Sequence, residues 1–141
     1  MQLATLISAA NIYMDKPYIK VGFNRKDRIL FNVWNGFASH EEVLEIGQRT
    51  IDAAIFEKAN KVLFDSRHME VLDEASHRYI SQEFTQEMLK VGVLYAATVL
   101  PEDIFAKQSI KQIKHYQEDA GMGHAHYFKS LQKAFDWLKS K

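Results

Sequence analysis

Asp65-Ser66-Arg67-His68 sets a carboxylate, a hydroxyl, a guanidinium and an imidazole at consecutive positions. The tetrad directly follows Val62-Leu63-Phe64, a short apolar run that reads as a buried strand. In open α/β sheets the crevice beyond the strand carboxyl ends is where ligands bind. These four groups suit anion binding or proton transfer there. A structural alternative stands beside this one, and the sequence favours it: an Asp at a strand end caps its own turn, and Arg67 pairs with a nearby acid. Trp34-Asn35-Gly36 also closes a strand ahead of a helix, so its turn belongs on the same rim. The candidate ligand-binding set is therefore Trp34, Asn35, Asp65, Ser66, Arg67 and His68. Helix N-termini gather on such a rim and favour an anion, and Asp65 requires that the anion also carry a donor.

Other chemistry-bearing residues are weaker signals. His124 and His126 flank Ala125 on an expected strand and project to one face, but a metal would need a third ligand such as His115 to fold close. Lys107, Lys111 and Lys114 recur at helical spacing, as a solvated face or as a stripe for an acidic partner. Trp34 and Trp137 read as packing residues rather than a ligand box. The dinucleotide, Walker A, zinc-peptidase and nucleophile-elbow motifs are all missing, and with no cysteine there is no thiol chemistry. No metal, no cofactor and no catalytic residue are assigned.

The elements that must position these groups are legible. Tyr18 to Asn24 and Ile29 to Asn35 alternate with period two around Arg25-Lys26-Asp27-Arg28, a hairpin. Ser39-His40-Glu41-Glu42 is a capping box opening a helix through Ile55. Val62 to Phe64 and Val93 to Val99 read as central parallel strands, joined by a helix from Glu74 to Lys90 with Asp73 as N-cap and Gly92 as stop. Pro101-Glu102-Asp103 starts a third helix. A short strand near Ala125 to Phe128 and a helix capped by Ser130 follow. The expected core includes Leu63, Phe64, Leu94, Ala96, Val99, Leu131 and Leu138. The order β-β-α-β-α-β-α-β-α gives an α/β domain: one mixed sheet, an antiparallel hairpin then β-α-β crossovers, packed with about four helices.

Composition bounds the rest. The 141 residues carry 18 Lys+Arg against 18 Asp+Glu, a neutral balance that argues against a nucleic-acid partner. The acids gather in the middle of the chain and the bases in the last quarter. Zero net charge leaves little repulsion against self-association, so a homo-oligomer, as a C2 dimer, is expected. Residues 1–17 stand as an N-terminal extension, apolar in patches and available to a partner. They lack the pattern of a signal peptide, and no run is long enough for membrane insertion. The absence of cysteine fits the cytoplasm.

The junction Trp34-Asn35-Gly36-Phe37-Ala38-Ser39-His40-Glu41-Glu42 resembles that of SpoIIAA-like, STAS-type domains, in particular their stand-alone, Bacteroidetes-type version. Leu63-Phe64-Asp65-Ser66-Arg67, Gly92 through Pro101, and Tyr127-Phe128 through Leu138 extend the resemblance over nearly everything from Tyr18 onward. It implies a STAS-like fold and, with the missing catalytic motifs, a regulatory or interaction module binding a protein partner or a small anionic or amphipathic molecule. Two other readings stay open: a small hydrolase or isomerase using Asp65, Arg67 and His68, and a lipid-binding carrier. In the superfamily's anti-sigma-factor antagonists a serine at the start of the second helix is phosphorylated. Here the aligned position is Ala75, with Ser76 one residue late, so the phosphoswitch is not implied.

Overall fold

The computed structural model describes residues 3–119 and 125–141. Six strands form one sheet in sequential order. β1 (Ala10–Lys16), β2 (Ile19–Asn24) and β3 (Ile29–Gly36) run antiparallel, whereas β3, β4 (Lys61–Met69), β5 (Tyr95–Val99) and β6 (Ala125–Phe128) run parallel. The hairpin is closed by Asn24, whose Oδ1 accepts the Asp27 N–H at 2.8 Å. The helices are α1 (Leu3–Ser8), α2 (His40–Glu57), α3 (Glu74–Arg78), α4 (Thr85–Lys90), α5 (Ile104–Asp119) and α6 (Leu131–Lys139). A π-helical stretch, Tyr79–Phe84, joins α3 to α4, so the expected helix over 74–90 exists with a widened middle.

Local signals act where the sequence places them. Ser39 Oγ accepts the Glu42 N–H at 3.2 Å while Glu42 Oε1 accepts the Ser39 N–H at 2.8 Å, so both members of the capping box are engaged. Asp73 Oδ1 accepts the Ser76 N–H at 2.8 Å. Gly36 and Gly92 adopt positive φ, 77° and 97°, where a side chain would be strained.

The sheet is covered on both faces. Ile29, Phe31, Leu63, Ala97 and Val99 pack against α6 through Leu131, Ala134, Phe135 and Leu138, with Leu6 of α1 in the same cluster. The opposite face meets α2, the 74–90 helix and α5 through two further clusters, one around Trp34, Val43 and Ile46 and one around Leu30, Val62 and Phe84. Two-sided cover is why β4 and β5 read as continuous apolar runs.

Three expectations are corrected. The segment expected as an N-terminal extension joins the domain over its described residues 3–17: β1 adds an edge strand, and Leu6 and Met14 are core residues. Leu94 is 55% exposed, because β5 starts only at Tyr95 and the Leu94 N–H is spent on Asn60 O at 3.0 Å before the ladder begins. Asp65 to His68 lie within β4, not beyond it. Among the described residues no helix is long and apolar enough to cross a membrane.

Candidate functional site

The carboxyl end of β4 is built around a bulge. Val33 pairs with Asp65 and Asn35 with His68, so β4 carries one more residue than β3 across this interval. Asp65 is 1% exposed. Arg67 folds back on it, Nε donating to Oδ1 and Nη2 to Oδ2, each at 2.9 Å, and the Arg67 N–H reaches Oδ1 at 3.2 Å. Hydrogen bonding to Asp65 holds the Arg67 guanidinium above its ordinary pKa, against the opposing effect of burial. Both carboxylate oxygens are engaged, so Asp65 is poorly placed to take a proton from a substrate.

The other members of the sequence-derived set separate. His68 is exposed and makes no side-chain hydrogen bond among the described residues. Asn35, its register partner, is exposed and donates to Pro17 O at 3.3 Å. Ser66 and Trp34 turn inward and line a cavity. The structure thus brings Asp65 and Arg67 together, sets Trp34 and Ser66 on one cavity, and leaves Asn35 and His68 exposed at the strand ends.

The rim itself is closely knit. The Glu70 N–H donates to Gly36 O at 2.9 Å and the Glu102 N–H to Arg67 O at 3.2 Å, tying the ends of β3, β4 and the β5–α5 loop together. Asp103 caps α5 by accepting the N–H groups of Phe105 at 2.7 Å and Ala106 at 3.0 Å. These bonds place large apolar side chains outward: Phe37 is 55% exposed, Val71 47%, Ile104 67% and Phe105 69%. Glu41, Glu70, Glu102 and Asp103, on the same segments, are exposed too. Sequence reasoning missed this patch. Its signal was available, since large apolar residues directly after strand ends occupy positions where loops are usually polar.

A second arrangement was also missed. Ser109 Oγ lies 2.9 Å from His77 Nε2, and His77 Nδ1 lies 3.5 Å from Glu74 Oε2, an ion-pair distance without hydrogen-bond alignment. Hydroxyl, imidazole and carboxylate line up as in a nucleophilic triad. Ser109, however, is 1% exposed and also accepts the Leu72 N–H at 3.2 Å, so it clamps α5 to the segment before α3 with no room for a substrate.

The metal reading gains nothing. His126 stacks on Trp137 with centroids 4.3 Å apart, His124 lies outside the described residues, and no group of His, Cys, Asp or Glu among the described residues could hold an ion. Lys107, Lys111 and Lys114 are exposed, with Lys114 3.9 Å from Glu118 and over the Tyr127 ring. At the start of α3, Ala75 is exposed while Ser76 is fully buried, its Oγ 3.1 Å from His40 Nδ1.

No protein-family model matches the sequence, and no curated protein matches it. Among solved structures, the unphosphorylated anti-sigma factor antagonist SpoIIAA matches with a TM-score of 0.56 at 11% identity, covering 94% of this chain and 100% of that one. An uncharacterised protein of the DUF3478 family with a SpoIIAA-like fold, from Shewanella loihica PV-4, matches with a TM-score of 0.48 at 16% identity over 92% and 94% of the two chains. The fold of this chain is SpoIIAA-like, a mixed six-stranded α/β sheet with helices on both faces.

Proposed function

We propose that this chain is a non-catalytic regulatory module that docks a protein partner on the rim formed by the carboxyl ends of β3, β4 and β5. The observation that carries the reading is the exposure of Phe37, Val71, Ile104 and Phe105, on the β3–α2 and β4–α3 loops and the first turn of α5, segments that backbone hydrogen bonds tie to the strand ends. Exposed apolar side chains ringed by polar ones are the signature of an interaction surface. The exposed acids on the same segments, Glu41, Glu70, Glu102 and Asp103, favour a partner that presents apolar side chains flanked by Lys or Arg. A free anion is the poorer guest, because Arg67 is already committed to Asp65. The SpoIIAA with the same fold is named for antagonising a protein, which agrees with a protein partner as a fold-level analogy only.

The test is a rim variant, Phe37→Ser/Ile104→Ser/Phe105→Ser, against a control on another face, Ile55→Ser/Phe56→Ser. Native mass spectrometry of complexes formed in extract of the source cells should find a stoichiometric partner with the parent and the control, and none with the rim variant. Equal retention by both variants counts against the rim.

A symmetric dimer is a second, compatible reading, favoured by β1. This seven-residue edge strand has no strand on its outer side among the described residues and leaves Ile12 exposed. Light scattering would then report twice the 16.3 kDa chain mass, and a mass that stays at 16.3 kDa across concentration rejects it.

A further inference from the structure

Between the sheet and the helices α2 to α5 lies a cavity of about 110 Å³. A cavity needs roughly 10–15 Å³ by this kind of measure to hold one water, and dry apolar cavities of comparable size take up small hydrocarbons. Its floor is Asn32, Trp34, Phe64, Ser66, Ala96 and Thr98, and its roof includes Tyr79, Ile80 and Phe84 of the π-helical stretch. Such stretches are frequent at functional sites. Gln117 fastens the roof, its Nε2 donating to Thr85 Oγ1 at 2.9 Å and its Oε1 accepting from Tyr127 Oη at 3.3 Å.

We infer that this cavity binds a small uncharged alcohol or phenol, its hydrocarbon body among the apolar side chains and its hydroxyl on Ser66 and Thr98. No Asp, Glu, Lys, Arg or His lines the cavity among the described residues, so a charged guest would be desolvated without a counter-charge. Ser66 is 2% and Thr98 7% exposed, and neither side chain makes a hydrogen bond to the protein among the described residues. Buried hydroxyls are ordinarily bonded. Both residues line the cavity and neither oxygen is sealed off, so a donor-acceptor group from outside the chain, such as a ligand hydroxyl, can reach them. Asn32 is partly engaged, one Nδ2 hydrogen going to Thr50 Oγ1 at 3.1 Å. The register pairs Phe64 with Thr98, so Ser66 stands one same-face position beyond Thr98's partner and one hydroxyl can serve both. The inference is independent of the rim.

The probes are cyclohexylmethanol and methylcyclohexane, nearly equal in shape and different by one hydroxyl. Trp34 lines the cavity and Trp137 packs on the opposite side of the sheet, so Trp34 emission in a Trp137→Phe background reports the site. The alcohol should bind on the order of ten-fold tighter than the hydrocarbon, the discrimination one satisfied buried hydrogen bond gives. Thr98→Val, which keeps the shape, and Ser66→Ala should each erase that preference while the hydrocarbon still binds. Ala96→Leu, which fills the floor, should abolish both. The inference is overturned if neither probe changes Trp34 emission, if the preference survives both hydroxyl deletions, or if a folded Ala96→Leu variant binds as the parent does.

Discussion

The guanidinium of Arg67 closes as a fork on the carboxylate of Asp65, two residues away on the same strand, with both N–O distances at 2.9 Å. Asp65 is almost fully buried and Arg67 about one quarter exposed at its side chain, so this pair is part of the fold rather than a surface ornament. Arg67→Ala strands a buried carboxylate and should cost about 3 kcal/mol in urea unfolding. Adding Asp65→Asn removes the stranded charge and should recover a good part of that loss. A single Arg67→Ala variant as stable as the parent contradicts the structural role.

The core assignments separate two leucines that look alike in sequence. Leu63 is fully buried against α6, and Leu63→Ala should cost about 2–5 kcal/mol through lost transfer energy and a residual cavity. Leu94 is exposed, and Leu94→Ala should stay within about 0.5 kcal/mol. Paired melts of the two variants check this.

Gly47 sits inside α2, where alanine normally stabilises a helix by about 1 kcal/mol. A Cβ there would overlap the Tyr79 hydroxyl and come within 2.8 Å of its ring. Gly47→Ala should therefore destabilise, and a Tyr79→Leu second change should relieve it. A stabilised single variant would mean that the Tyr79 ring gives way freely.

Tyr13 Oη donates to Glu57 Oε2 at 2.5 Å, and burial first, then this carboxylate, pushes the phenol up to about 12. A phenol raised above its ordinary value near 10 stabilises the fold fully below about pH 10, and that contribution disappears as pH rises through 12. On the acid side, burial would raise Glu57, but its hydrogen bonds from Tyr13 and Asn11 and the charges of Arg28 and Arg25 hold it below its ordinary value. Its contribution is therefore present above about pH 4.5 and is lost as pH falls through the folded value. Tyr13→Phe should flatten the loss of stability between pH 10 and 12 relative to the parent; parallel curves would contradict the coupling.

Much of the frame was legible because it rests on local rules. The Ser39 and Asp73 caps, the Gly92 stop and the alternation of Ile19, Val21 and Phe23 each name an element without reference to distant residues. β1 was hidden because ANIYMDK, an edge strand with a bulge after Ile12, buries only Met14 and so shows little periodicity. Leu94 was misplaced because an apolar run does not reveal where its ladder begins. At the candidate site, the pairing of Arg67 with a nearby acid was legible, but the bulge between Asp65 and His68 depends on the register with β3. The cavity arises where the π-helical stretch and α5 fail to fill the space above the sheet, a property of spacing between elements. The unpaired hydroxyls of Ser66 and Thr98, polar residues inside apolar strands, were its one trace in the sequence.

The central claim is that the rim of Phe37, Val71, Ile104 and Phe105 is covered by a basic, apolar face of another protein. Photo-crosslinking in the source cells, with benzoylphenylalanine in place of Phe105 and, as control, of Phe56, addresses it at single-residue resolution. The account predicts one dominant adduct from position 105, absent from position 56, whose crosslinked peptide carries apolar residues beside Lys or Arg. No adduct from position 105, or the same adducts from both positions, would contradict it.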